Sequence, residues 1–64
     1  MNIKDVIVGK DYVIVGTHGV SDMLVEVIGN DGERITCYIK STKCSTIPLN
    51  SREVELHLQE LYNG

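Results

Sequence analysis

Asn30-Asp31-Gly32 stands between two strand-like runs, MLVEVIG over Met23–Gly29 and ERITCYI over Glu33–Ile39. No other feature limits the fold of this chain as much. Asn and Asp tolerate turn conformations and Gly accepts a left-handed backbone, so the triplet predicts a three-residue hairpin loop with Gly32 at its bulge. That loop would set Gly29 against Glu33, Val27 against Ile35, Val25 against Cys37 and Met23 against Ile39. One face of the hairpin would then hold Met23, Val25, Val27, Ile35, Cys37 and Ile39, all apolar. A two-residue Asp31-Gly32 loop would instead bring Glu26 among them, opposite Cys37. A one-residue slip exchanges the two faces of a strand, so the cleaner segregation favours the longer loop.

The opposite face is mixed: Leu24, Glu26, Ile28, Arg34, Thr36 and Tyr38. The expected register sets Leu24 against Tyr38 and Ile28 beside Arg34. Either the rest of a small barrel covers this face or it is a contact surface. Leu24, Ile28, Arg34 and Tyr38 are therefore the candidate partner-binding residues. The competing reading of Tyr38 is a cross-strand pair with Leu24 that only stabilises the hairpin.

Sixty-four residues make one small domain. A domain of that size buries only about 60% of its unfolded surface and has no room for a deep cleft with a supporting shell. Trp and Phe are absent, so the core is built from Val, Ile and Leu with a few of the three Tyr. The net charge of −3 disfavours generic binding to nucleic-acid phosphates, which needs clustered Lys and Arg. Only Lys40 and Lys43 lie close together, beside a polar loop.

The N-terminus, MNIKDVIVGKD, has neither the apolar run of a signal peptide nor its cleavage site, and no stretch is long enough to span a membrane. A cytoplasmic location is the expectation, with Cys37 and Cys44 as reduced thiols. Cys37 reads as a core residue and Cys44 as an exposed one in the loop STKCS.

Met1–Val8 is expected to form a short lead-in strand or turn, with Ile3, Val6 and Ile7 covering one end of the core. Gly9-Lys10-Asp11 reads as a turn. Tyr12–Thr17 (YVIVGT) reads as a central strand buried on both faces. His18–Asp22 is a loop, and Thr46–Leu49 is extended but barred from a central position by Pro48. Residues 50–64 fit two patterns. Val54, Leu56 and Leu58 alternate as in a strand, while Val54, Leu58, Leu61 and Tyr62 share a helical face. Asn50 with Glu53 at capping-box distance favours a helix or helical turn starting near Ser51, with Asn63-Gly64 as its end.

Constellations that could carry chemistry are weak. Cys37, Cys44, His18 and His57 are possible metal ligands, but the C-x6-C spacing lacks a paired knuckle, and no metal is expected. His18, Ser21 and Asp22 lie in one short loop, where a catalytic triad could not surround a reacting atom. Gly16-Thr17-His18-Gly19 matches no phosphate-binding loop. No cofactor is implied, and the chain is not expected to be an enzyme. Glu53, Glu55 and Glu60 read as a solvated acidic face near the C-terminus, or as one that docks on a basic surface.

Gly9-Lys10-Asp11-Tyr12-Val13, the loop after it, the tight hairpin and Ile47-Pro48-Leu49 before Asn50-Ser51-Arg52-Glu53 together resemble the SH3-like small barrels. The resemblance spans about 50 residues as a pattern from Gly9 to Leu58. It implies a mostly β fold: a small barrel or twisted antiparallel sheet with a C-terminal helix or helical turn, and a tendency to bind. The aromatic pairs of peptide-binding SH3 domains and the aromatic cage of Tudor relatives are absent, so no ligand transfers. The compact acidic design also resembles the accessory proteins that bacteriophages direct against host proteins. A non-catalytic protein-interaction module is the first expectation. The alternatives are a homo-oligomeric structural protein, and a nucleic-acid-binding barrel using Arg34, Lys40, Lys43 and Tyr38.

Overall fold

The computed structural model describes residues 1–16, 18–41 and 45–61. The chain is mostly β. A 3-10 helix at Ile3–Asp5 is followed by strands β1 (Asp11–Ile14), β2 (Met23–Asn30), β3 (Arg34–Ile39) and β4 (Thr46–Asn50). Helix α1 (Ser51–His57) and strand β5 (Leu58–Glu60) follow. The five strands form one antiparallel sheet in the order β4-β3-β2-β1-β5.

The β2–β3 hairpin keeps the expected faces but not the expected register. Val25 pairs with Ile39 and Val27 with Cys37, two positions from the predicted partners. A two-residue shift preserves the side-chain alternation, so Val25, Val27, Ile35 and Cys37 are all fully buried on one face. The turn accounts for the difference. Asp31 N–H donates to the Arg34 carbonyl at 3.1 Å, enclosing only Gly32 and Glu33. Gly32 has φ +90°, the positive value a two-residue hairpin requires at its first central position. Asp31 Oδ1 accepts from the N–H groups of Glu33 (2.9 Å) and Arg34 (2.7 Å), which locks this shorter loop.

The loop alone would set Ile28 and Glu26 on the core face. A bulge between Val27 and Gly29 restores the pattern: Gly29 pairs with Thr36 and Asn30 with Ile35, leaving Ile28 as the extra residue. The bulge therefore sits at Ile28 rather than at Gly32. It turns Val25 and Val27 inward and leaves Glu26 and Ile28 on the outer face.

The core lies on one side of the sheet and combines Tyr12, Ile14, Val25, Val27, Ile35, Cys37 and Leu49 with Ile3, Val6, Val54 and Leu58. The 3-10 helix and α1 pack against each other, and α1 also packs on β4. Ile3 and Val6 are buried as expected, but Ile7 is 57% exposed. β1 is an interior strand, shorter than predicted, and its burial is one-sided: Tyr12 and Ile14 are buried, Val13 half-buried. Thr17, at the predicted end of that strand, lies outside the described residues. β4 is an edge strand, as Pro48 demands.

The C-terminal segment is a short helix followed by a short strand, and neither pattern holds over its length: Val54 is buried in α1 and Leu58 at the start of β5, but Leu56 and Leu61 are exposed. Asn50 Oδ1 accepts from Glu53 N–H (2.9 Å), and Glu53 Oε1 accepts from Asn50 N–H (3.1 Å), so a complete capping box starts α1 at Ser51. The helix stops at His57, well before the predicted end. Leu58 then turns extended and pairs with Ile14, followed by Gln59 with Val13 and Glu60 with Tyr12. Continuing the helix would leave this edge of β1 without hydrogen-bond partners. Tyr62, Asn63 and Gly64 lie outside the described residues.

Candidate interaction surface

Antiparallel pairing lines up the outer side chains in rows across the sheet. Thr46, Tyr38, Glu26 and Asp11 face one another across β4, β3, β2 and β1. The adjacent row runs through Leu24, Val13 and Gln59, with Lys40 N–H donating to the Leu24 carbonyl at 3.1 Å. On the other side lie Pro48, Thr36 and Gly29, then Asn50 and Arg34. Among the described residues no element covers these rows. Leu24 is 43% and Ile28 49% exposed, Arg34 is exposed, and Tyr38, Glu26, Thr36 and Val13 are half-buried.

The four sequence-derived candidates thus share one side of the sheet, though not in the expected pairs. Tyr38 sits opposite Glu26, and Leu24 opposite Lys40. Ile28 lies at the bulge beside Thr36, and Arg34 faces Asn50 at the hairpin end. The expected Leu24–Tyr38 pair is therefore only a diagonal relation. Lys43, named with Lys40 for nucleic acid, lies outside the described residues.

Several residues of this face escaped sequence reasoning. Asp11 and Val13 join it because β1 pairs with β2, and Lys40 reaches across to Asp11 with Nζ 2.8 Å from Oδ2. Lys40 is held protonated above the ordinary lysine range, chiefly by that hydrogen bond, with the Asp11 and Glu26 charges adding to it. Lys10 Nζ lies 3.0 Å from Glu60 Oε1 and 5.5 Å from the centre of the Tyr12 ring. These groups line a shallow concavity of about 540 Å³, formed by Lys10, Asp11, Glu26, Lys40, Glu60 and Leu61 among others. Alternation in DYVI could have placed Asp11 and Val13 on one face, but the sequence does not show which strand faces them.

The remaining candidates have structural roles or none. Asp22 Oδ1 accepts from Gly16 N–H at 2.8 Å and closes the loop in which a triad was considered. His18 adopts φ +53° in that loop. Cys37 is buried, and burial pushes its thiol up to about 11. Cys44 lies outside the described residues. Among the described residues no group of three or more His, Cys, Asp or Glu could hold a metal ion. Glu53 and Glu55 lie on α1 and Glu60 on β5; Glu53 belongs to the capping box and Glu60 pairs with Lys10. No helix among the described residues is long and apolar enough to cross a membrane.

Together these features define a small mostly β protein: one five-stranded antiparallel sheet, a short helix near the C-terminus, and an outer face bearing apolar side chains. The chain matches no protein-family model, and neither a curated protein nor a solved structure is significantly similar to it.

Proposed function

We propose that this chain is a non-catalytic protein-interaction module whose contact surface is the outer sheet face around Leu24, Ile28, Arg34 and Tyr38. The supporting observation is that this face carries exposed Leu24 and Ile28 with no described element over them. An aliphatic and aromatic patch rimmed by charge suits a protein partner better than a phosphate backbone, and the net charge of −3 points the same way. The tight hairpin, and the Ile47-Pro48-Leu49 strand running directly into α1, support an SH3-like small barrel as the parent design. An accessory protein that binds and modulates a host protein in the cytoplasm is the corresponding biological role.

The test is capture from a cell lysate on the immobilised protein, with and without nuclease, comparing wild type with Tyr38→Ala and Leu24→Asp. A specific protein retained by wild type and lost with both folded variants is the expected result. Undiminished retention on both variants would remove the surface from this assignment. Retention that vanishes on nuclease treatment would replace the protein partner with nucleic acid.

A further inference from the structure

Glu26 occupies the middle of the proposed contact face, half-buried between Tyr38 on β3 and Asp11 on β1. Among the described residues no cation lies within ion-pair distance of its carboxylate. Lys40 attracts it, but the Lys40 ammonium is already hydrogen-bonded to Asp11 at 2.8 Å. While the face is open, water solvates Glu26. A partner settling on Leu24, Ile28 and Tyr38 would displace that water and leave Glu26 with only a share of Lys40, in a concavity where Asp11, Glu26 and Glu60 outnumber Lys10 and Lys40, at a cost that grows with desolvation. Apolar contact and charge compensation therefore have to arrive together.

We infer that the partner segment docking on this face presents an arginine or lysine to Glu26, flanked by apolar side chains that pack on Leu24, Ile28 and Tyr38. This rests on the interaction-module reading and specifies the chemistry of its partner. The Lys40–Asp11 pair has a part in it. By holding Lys40 on Asp11, the fold leaves Glu26 free to be answered from outside. A fixed charge beside the apolar side chains of this face sets register and rejects acidic or neutral segments.

Pools of short synthetic peptides with a fixed central Arg, Lys, Gln or Glu between apolar residues test this directly. Each pool is titrated into ¹⁵N-labelled protein while the amides of Leu24, Glu26 and Tyr38 are followed by NMR. The Arg and Lys pools are expected to shift those amides saturably, with affinity about tenfold or more above the Glu pool at low salt. Glu26→Gln should bring the pools to near equality, and Glu26→Lys should reverse the order. Asp11→Asn, which releases Lys40 towards Glu26, should weaken the Arg pool. Dispersed spectra for each variant exclude misfolding. Equal affinity for all pools at this face, or an Arg preference that survives Glu26→Gln, overturns the inference while the contact surface stands. No saturable shift with any pool also overturns it. The surface itself falls only if lysate capture is indifferent to Tyr38→Ala and Leu24→Asp.

Discussion

Asn30 Nδ2 donates to the carbonyl oxygen of Ile3 at 2.9 Å, joining the end of β2 to the 3-10 helix. The same amide donates to the Val6 carbonyl at 3.1 Å, while Asn30 Oδ1 accepts from Gly32 N–H at 2.9 Å. One side chain thus secures the N-terminal cover and the hairpin turn together. It can do so because the two-residue loop pairs Asn30 with buried Ile35 and so sets it on the core side.

Asn30→Asp is therefore expected to be more harmful than its size suggests. It keeps the acceptor for Gly32 but sets a carboxylate against two carbonyl oxygens that have lost their donor. The loss should be roughly 1–3 kcal/mol, typical of unsatisfied part-buried polar groups. Urea unfolding reads it as a lower midpoint at unchanged slope. An unaltered midpoint would mean that the Asn30 bridge contributes nothing to stability.

Breaking the capping box is the second case. Asn50→Ala removes the acceptor for Glu53 N–H and should cost about 1 kcal/mol, whereas Asn50→Ser should cost much less. Because α1 is only seven residues long, it depends on its cap and on Val54 packing more than on propensity. Amide exchange within Ser51–His57 should accelerate in Asn50→Ala more than exchange in β2 and β3. Uniform acceleration across the chain would mean that the box stabilises the whole fold and not the helix locally.

The faces of the hairpin were legible in the sequence because parity survives a two-residue shift. The register was not, because Asp31 closes the loop with its own side chain and Ile28 absorbs the extra residue. The helix start was legible from Asn50 and Glu53. Its end was not, since Leu58 satisfies both a helical and a strand pattern, and only β1, distant in sequence, selects between them. The same limit applies to the outer sheet face proposed for contact. Leu24, Ile28, Arg34 and Tyr38 followed from local alternation, but Asp11, Val13 and the Lys40–Asp11 pair depend on which strands become neighbours.

Cys37 makes stability fall at alkaline pH. Its thiol is raised by burial to about 11, from an ordinary value near 9.0. The unfolded chain therefore loses its proton first as pH rises. The full contribution is present below pH 9 and declines between pH 9 and 11, by on the order of 2–3 kcal/mol. Cys37→Ala should flatten that decline while lowering stability at neutral pH through the cavity it leaves. In a Cys44→Ser background, native Cys37 should resist alkylation until the protein is unfolded. Rapid alkylation at pH 8 without unfolding would contradict its buried position.

Asp31 should produce the opposite slope at acid pH. The N–H groups of Glu33 and then Arg34 hold its carboxyl below the usual value of 3.8. Because the folded value is depressed, its contribution is fully present above 3.8 and is lost as pH falls through the folded value. Asp31→Ser retains a hydroxyl acceptor for the turn but carries no charge. Wild type should therefore melt above Asp31→Ser at pH 7, and the gap should shrink steadily below pH 4. Both proteins lose other carboxylate contributions in acid, so the difference in melting temperature is the quantity that isolates Asp31. A gap that stays constant down to pH 2 would assign the advantage of Asp31 to loop conformation alone and remove the charge-assisted hydrogen bonds from the account of the turn.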